Sequence, residues 1–332
     1  GPTFDRRCKP DIVAPGNCLV PAANENSEYY PSGNWSSYAA PTVAGAAALL
    51  IQKAKLNKTN LDLISSTGGN CIIKTILLNS ATKLPFWHKG LLTKDDDHSV
   101  PLDYIQGAGL LNAVKAHDIL DAGRQEAGFV KNIGWDKNRL EIDKEFEKVY
   151  HIHLDNPEKK IITATAAWNL HYNKKYPFEI TEEKNSNLSL ELWALDVNDP
   201  NRSLLIDYSD SYVDNVEHIH CKTDPNFTDY DLVISYSTNE SIDIQNEGED
   251  YAIAWNIDES PAEKQDILWY DLDTNGIVDE KDLEIIFGFA KAVLESGSDI
   301  SFGDINGDGK IDLDDISILF EQNNRQAKWF ND

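Results

Sequence analysis

The chain has 332 residues, a length that suits two or three domains, and its 56 Asp and Glu side chains outnumber 30 Lys and Arg to give a formal net charge of −26. This charge argues against binding to nucleic acid or to an anionic membrane, and the sequence contains no run of about 18 apolar residues that would form a membrane span. We therefore expect a secreted, extracellular protein with neither kind of partner.

The first functional signal is the segment WSSYAAPTVAGAAALL at residues 35–50. It resembles the nucleophile region of subtilisin-like serine proteases, in which Gly, Thr and the nucleophilic serine precede an apolar residue, two small residues, a proline and a Val-Ala-Gly run. The resemblance implies that Ser37 is the catalytic nucleophile, close to helix N–H groups that can stabilise an oxyanion. Trp35 and Ser36 stand where the family has Gly and Thr, and Ser37 as an ordinary helix N-cap is the alternative.

Three more segments resemble the same family in order and approximate spacing. KPDIVAPG at residues 9–16 is similar to the strand and turn before the nucleophile loop. LLNSATKL at residues 77–84 resembles the last helix of the catalytic core, and GAGLLNA at residues 107–113 resembles the glycine turn that opens the closing helix. The resemblance implies a partial α/β subtilase core over residues 1–124.

The subtilase triad runs in the chain order Asp, His, Ser, with an oxyanion-hole Asn between His and Ser. No histidine precedes His88, and the sequence contains no methionine even at position 1. We therefore expect the chain to be the C-terminal part of a longer precursor that begins inside the catalytic domain. His88, His98 and His117 are predicted to be surface or loop histidines, not substitute bases.

The four cysteines, Cys8, Cys18, Cys71 and Cys221, show no metal-binding spacing and allow three complete disulfide pairings. A Cys8–Cys18 disulfide, which would close a short loop before Ser37, is the preferred pairing. Four free buried thiols remain the alternative.

Between residues 125 and 258 the apolar pattern alternates with period two, which predicts strands at 150–154, 161–168, 188–193, 230–236 and 251–255. Several strands in this length predict a β-sandwich, with Trp168, Trp193 and Trp255 as core anchors. The strand order and the corner at 214–219 resemble the jelly-roll domains that follow the catalytic domain in proprotein convertases and bacterial subtilases. That resemblance implies a stabilising or substrate-presenting role, and a spacer without a ligand is the alternative.

Two acidic loops with the same spacing lie near the C-terminus. Oxygen-bearing side chains occupy loop positions 1, 3, 5, 9 and 12, a glycine occupies position 6, and a backbone carbonyl is available at position 7, as in a Ca²⁺ loop. We predict two Ca²⁺ ions, held by Asp271, Asp273, Asn275, Ile277, Asp279 and Asp282 in one loop and by Asp304, Asn306, Asp308, Lys310, Asp312 and Asp315 in the other.

Each loop ends in Asp and is followed by one apolar helical pattern, so residues 264–326 resemble a type I dockerin with duplicated loop-helix units. The resemblance implies docking to a cohesin on a scaffold or cell surface. Residues 264–332 carry 12 Asp and 4 Glu against 5 Lys and 1 Arg, a balance of −10, so cations should be needed for folding.

The sequence thus predicts a multidomain protein: a partial subtilase core at 1–124, a β-sandwich at 125–258 and a small α-helical dockerin at 264–326. The predicted function is a subtilisin-like serine endopeptidase that acts on protein or peptide substrates and docks to a cohesin-bearing scaffold. The alternative is a catalytically degenerate protease homologue that serves as a calcium-binding assembly or adhesion protein.

Overall fold

The computed structural model of the protein describes residues 2–17, 19–21, 29–31, 33, 35–84, 87–90, 98–141, 144, 146–172, 176, 186–196, 202–237, 248–259 and 281. Residues 1–90 and 96–258 belong to one compact unit, and residues 91–95 and 259–332 belong to a second, of which only Glu259 and Lys281 are described. All twelve predicted calcium ligands, and the whole predicted dockerin except Lys281, lie outside the described residues, so the calcium site stays a prediction.

Four helices occupy the first part of the compact unit: α1 (Ser36–Ala54), α2 (Lys58–Ile64), α3 (Asn70–Asn79) and α4 (Ala113–Ala122). Asparagine side chains cap two of them, since Asn57 accepts from the N–H groups of Thr59 and Asn60 at the start of α2, and Asn112 accepts from Lys115 at the start of α4. The short strands β1 (Leu19–Pro21) and β2 (Tyr29–Pro31) pair in antiparallel fashion before α1.

Nine further strands follow α4. They are β3 (Gly128–Val130), β4 (Ile133–Leu140), β5 (Glu147–His153), β6 (Lys160–Trp168), β7 (Leu188–Leu195), β8 (Leu204–Ser209), β9 (Val216–Lys222), β10 (Asp229–Tyr236) and β11 (Glu249–Glu259). The five predicted strands correspond to β5, β6, β7, β10 and β11. The strands form a five-stranded sheet in the order β3-β5-β10-β7-β8 and a four-stranded sheet in the order β4-β11-β6-β9.

The two sheets face each other across one apolar core. Tyr150 and Leu190 of the five-stranded sheet and Trp168 and Trp255 of the four-stranded sheet are among its fully buried residues. This arrangement confirms the predicted sandwich of two β-sheets. The prediction for Trp193 is wrong: period two places Trp193 on the partly exposed face of β7, where its indole N–H donates to Glu191, 2.7 Å away.

Helices α3 and α4 pack on the other face of the four-stranded sheet, and α1 packs against these two helices. Together they form a second apolar cluster. Ile72 and Ile76 of α3 and Ile119 of α4 contact this cluster, to which the sheet contributes Trp135 of β4 and Ala252 and Ala254 of β11. Alanine at two alternate positions of β11 keeps this face flat enough for helices to approach. The four-stranded sheet is therefore buried on both faces, and the unit is a mixed α/β structure. No helix in the described ranges is long and apolar enough to cross a membrane.

Candidate active site

Ser37 is an exposed residue in the first turn of α1, which begins at Ser36. Trp35, the residue before the first residue of α1, has extended backbone angles (φ −131°, ψ 132°), and its side chain forms no capping hydrogen bond. The backbone N–H groups of Ser36 and Ser37 and the hydroxyl of Ser37 have no hydrogen-bond partner within the described part of the chain. The first N–H groups of a helix lack intrahelical acceptors, so this end of α1 presents a hydroxyl beside free donors.

The entry to α1 is fixed by backbone contact with the turn at Gly16. The Trp35 N–H donates to the Gly16 carbonyl oxygen at 3.1 Å. A Cβ on Gly16 would lie 2.9 Å from the Trp35 carbonyl oxygen, so only glycine lets the two segments approach this closely. The Trp35 side chain is 61% exposed, so the tryptophan that replaces the family's glycine points outward.

The segments that resemble subtilases are brought together by backbone hydrogen bonds. Val13 N–H donates to Gly109 O at 3.0 Å, and Leu111 N–H donates to Val13 O at 2.8 Å. Thr82 and Leu110 exchange two bonds of 2.8 Å. Segments 9–16, 77–84 and 107–113 therefore meet in one small backbone assembly. Helix α3 ends at Asn79, so the predicted helical segment 77–84 is helical only at its start.

Gly107 is a tight point of this assembly, because its φ is +59° and a Cβ there would lie 2.4 Å from the Asp11 carbonyl carbon. We expect Gly107→Ala to lower the free energy of unfolding by more than about 2 kcal/mol, since both the backbone conformation and the collision oppose a side chain. Gly123→Ala is the matched control, with φ +86° and nothing within 4 Å of the added Cβ. Urea unfolding of both variants measures the difference, and equal losses would contradict the collision argument.

Asp11 is the charged residue of this assembly, and it binds Lys9 at 2.7 Å and Lys74 at 3.5 Å. Burial alone would raise the pKa of Asp11, but Lys74 and Lys9 outweigh it and hold this pKa below the ordinary value. Asp11 therefore stays ionised, and its ion pair with Lys74 links segment 9–16 to α3.

None of the three histidines considered as bases forms a hydrogen bond with Ser37. His117 is exposed on α4 and lines a groove beside Leu49, which lies about 18 Å from Ser37 along α1 at about 1.5 Å per residue. His88 and His98 line a cavity of about 370 Å³ at the edge of the sandwich, beside Ile206 of β8. His88 is half-buried with Nδ1 lacking a hydrogen-bond partner among the described residues, so it is more enclosed than a surface histidine.

The structure contradicts the preferred Cys8–Cys18 disulfide, because Cys8 is a free thiol that is 2% exposed. Its sulfur lies 3.2 Å from the Leu102 carbonyl oxygen. Burial, followed by the nearby Asp214 carboxylate, raises the pKa of Cys8 to about 12, which keeps the thiol protonated and unreactive. Cys71 and Cys221 also form no disulfide among the described residues, and Cys18 lies outside them.

Within the described ranges, no group of three or more His, Cys, Asp or Glu residues is placed to hold a metal ion. Within the described residues, the candidate site consists of the Ser37 hydroxyl and the N–H groups at the start of α1.

Parts of the chain are similar to several known proteins. Periplasmic inhibitors of g-type lysozyme, PliG, from Aeromonas hydrophila and Salmonella Typhimurium are each 11% identical to the chain and cover 40% of it, with 98% and 99% of their own chains matched and TM-scores of 0.25 and 0.22. A surface-associated copper-binding protein, CorA, from Methylomicrobium album BG8 is 7% identical over 40% of this chain and 99% of its own, with a TM-score of 0.25. These scores are too low to carry an argument.

Residues 1–109 match the model of the subtilase family, peptidase S8. This part of the chain is therefore a subtilase-like region, and the match indicates a serine peptidase.

Proposed function

We propose that Ser37 is the nucleophile of a subtilisin-like serine endopeptidase, of which this chain supplies the C-terminal part. The observation that carries the proposal is the exposed Ser37 hydroxyl in the first turn of α1, beside N–H groups without acceptors, inside the region that matches the subtilase model. The hydroxyl attacks the scissile carbonyl of a peptide to form an acyl-enzyme. The free N–H groups stabilise the oxyanion that forms.

The base and its orienting carboxylate come from a segment upstream of this chain, in the family order Asp, His, Ser. This assignment is consistent with the placement of His88, His98 and His117, none of which forms a hydrogen bond with Ser37. The chain itself supplies the nucleophile, the helix that orients it and the paired segments that hold the entry to that helix.

The C-terminal loops give the same protein a second role, as a secreted enzyme that docks to a cohesin-bearing scaffold. Support comes from the sequence, where two loops carry oxygen ligands in the same spacing with glycine at position 6. Loop positions 10 and 11 hold Glu280-Lys281 and Leu313-Asp314, whereas related dockerins commonly have Ser/Thr pairs there. The cohesin that this module recognises therefore differs from the cohesins of those dockerins in the surface that contacts loop positions 10 and 11.

A second candidate is a degenerate homologue whose sandwich and calcium loops act in assembly or adhesion. The observation that favours it is the departure at Trp35 and Ser36 from the family's Gly and Thr. The two candidates differ in whether Ser37 reacts.

Labelling of the complete gene product with a fluorophosphonate probe separates the two functions. We expect one serine to be labelled and labelling to disappear in Ser37→Ala. Ser36→Ala is the matched control, because Ser36 is the adjacent exposed residue of the same helical turn and should leave labelling intact. Labelling that persists in Ser37→Ala would move the nucleophile elsewhere, and a complete product that is never labelled would favour the degenerate homologue.

A further inference from the structure

A chain of buried hydrogen bonds crosses from the subtilase-like region into the four-stranded sheet. The Lys83 ammonium lies 2.8 Å from Nε2 of His218 on β9, and Nδ1 of His218 lies 2.8 Å from the Thr165 hydroxyl on β6. The Thr165 hydroxyl donates to Asn79 at 3.0 Å, and the Asn79 amide donates to Asn256 of β11 at 2.8 Å. We call this contact of residues 79–84 and 87–89 with β6 and β9 the seam.

The direction of these bonds fixes the protonation state of His218. A hydroxyl has one proton, and Thr165 gives its proton to the Asn79 carbonyl oxygen. Thr165 must therefore accept from His218, so the imidazole proton is on Nδ1 and the lone pair of Nε2 receives the Lys83 ammonium. A second proton on His218 would occupy the lone pair that Lys83 uses.

A second imidazole on the same face of β9 has similar surroundings. Nδ1 of His220 lies 2.9 Å from the Thr163 hydroxyl of β6. Trp87 touches both histidines edge-on, with ring centroids 5.8 Å from His218 and 5.5 Å from His220, and the Lys83 ammonium lies 4.3 Å from the centre of the Trp87 ring. The seam thus encloses two imidazoles and a lysine with an aromatic ring between them.

The charged groups around the seam are mostly cationic. Lys83 also donates to the Ala108 carbonyl oxygen, and Lys89 is 3% exposed and donates to the His218 carbonyl oxygen at 3.3 Å. Lys115 of α4 adds to the positive potential, although it is paired with Asp258 at the end of β11.

The carboxylates lie at the edges of the seam. Asp103 accepts three backbone N–H groups, and Asp207 pairs with Lys89. Glu217 accepts hydrogen bonds from Ser209 and Ser211.

We propose that His218 and His220 make the seam an acid-sensitive latch between the subtilase-like region and the β-sandwich. A proton on His218 removes the acceptor of Lys83 and adds a buried positive charge near the cluster of Lys83, Lys89 and Lys115, so the seam opens while the sandwich core stays folded. The latch closes again when the imidazoles lose their protons.

The surroundings fix the sign of the pH dependence. Burial, followed by Lys83, lowers the pKa of His218 and that of His220 well below 6.5. The unfolded or opened chain therefore binds protons that the closed seam does not, and closure is fully stable above pH 6.5 and weakens as the pH falls below it. Each histidine contributes up to about tenfold per pH unit to the equilibrium constant for opening.

Histidine side-chain NMR of the full chain tests the latch in the unmodified protein. Between about pH 7.5 and about pH 5.5, the resonances of His218 and His220 in the closed state should hold the shifts of neutral imidazoles. Lys83→Gln keeps a donor to Nε2 but removes the charge, so His218 should then take up its proton at higher pH. An ordinary titration of His218 in the folded wild-type protein would overturn the proposal.

Hydrogen exchange locates the opening, after correction for the intrinsic pH dependence of exchange. Below about pH 6.5, the amides of β9 should lose protection while those of β7 and β10 keep theirs, and His218→Gln should reduce this loss by up to about tenfold per pH unit. His117→Gln is the control, because His117 lies at an exposed position of α4, and this variant should behave as wild type. Simultaneous loss in β7, β9 and β10 would mean global unfolding and no latch, and an unchanged pH dependence in His218→Gln would also contradict it.

Discussion

Removal of calcium is expected to abolish the cooperative unfolding transition of residues 264–332. Each predicted loop gathers several carboxylates around one point, and the segment has a charge balance of −10, so repulsion opposes folding until cations neutralise it. Calorimetry of the full chain with calcium should show a transition that disappears in chelator. The transition of residues 1–258 should be unchanged, because the described part of that unit is held by apolar cores.

Substitution of single ligands makes the calcium prediction specific. Asp271→Ala and Asp304→Ala remove the first ligand of each loop and should each lower the calcium stoichiometry in titration calorimetry from two to one. Glu280→Gln is the matched control, because it removes one negative charge at loop position 10, which supplies no ligand. A transition that is insensitive to chelator, or a stoichiometry near zero, would remove both the calcium site and the dockerin assignment.

Peptidase activity is expected to require residues upstream of this chain. Residues 1–332 alone should not hydrolyse peptides, because a serine without its base and orienter loses most of the catalytic contribution of the triad. In the complete gene product, Ser37→Ala should lower kcat by about 10⁶, the order found when a nucleophile of this mechanism is removed. Ser36→Ala should change kcat far less, since the resemblance to the family places the attacking hydroxyl on Ser37 and not on Ser36.

Initial-rate measurements with a fluorogenic peptide decide this prediction. Activity of residues 1–332 that disappears in Ser37→Ala would show that the chain carries its own base. Activity of the complete product that survives Ser37→Ala would show that another residue attacks the substrate.

The strands were predictable because the side chains of a strand point alternately to the two faces of its sheet, so apolar residues recur with period two. In β7, Leu190 and Leu192 alternate with Glu191 and Trp193, and the same alternation that locates the strand places Trp193 outside the core. The interpretation of Trp193 failed because residue type was given more weight than its position in the period.

The seam was not predictable, because Asn79, Lys83, Thr165 and His218 come from separate parts of the sequence and none has a distinctive local pattern. Only the packing of α3 on the four-stranded sheet brings them together. The disulfide prediction failed for a related reason. A short separation between Cys8 and Cys18 says nothing about the direction of the Cys8 side chain, which points at the Leu102 carbonyl. The start of α1 was better predicted, since the position of Ser37 follows from residues adjacent in sequence.

The packing of α3 and α4 on the outer face of the four-stranded sheet limits how this protein can change by module exchange. A foreign sandwich with a larger side chain than Ala252 or Ala254 on β11 would collide with the helices, and a polar residue in place of Trp135 would leave their apolar sides exposed to water. A recombination point between α4 and β3 therefore separates residues that were selected together. Homologous chains should exchange the helices and the sandwich as one block.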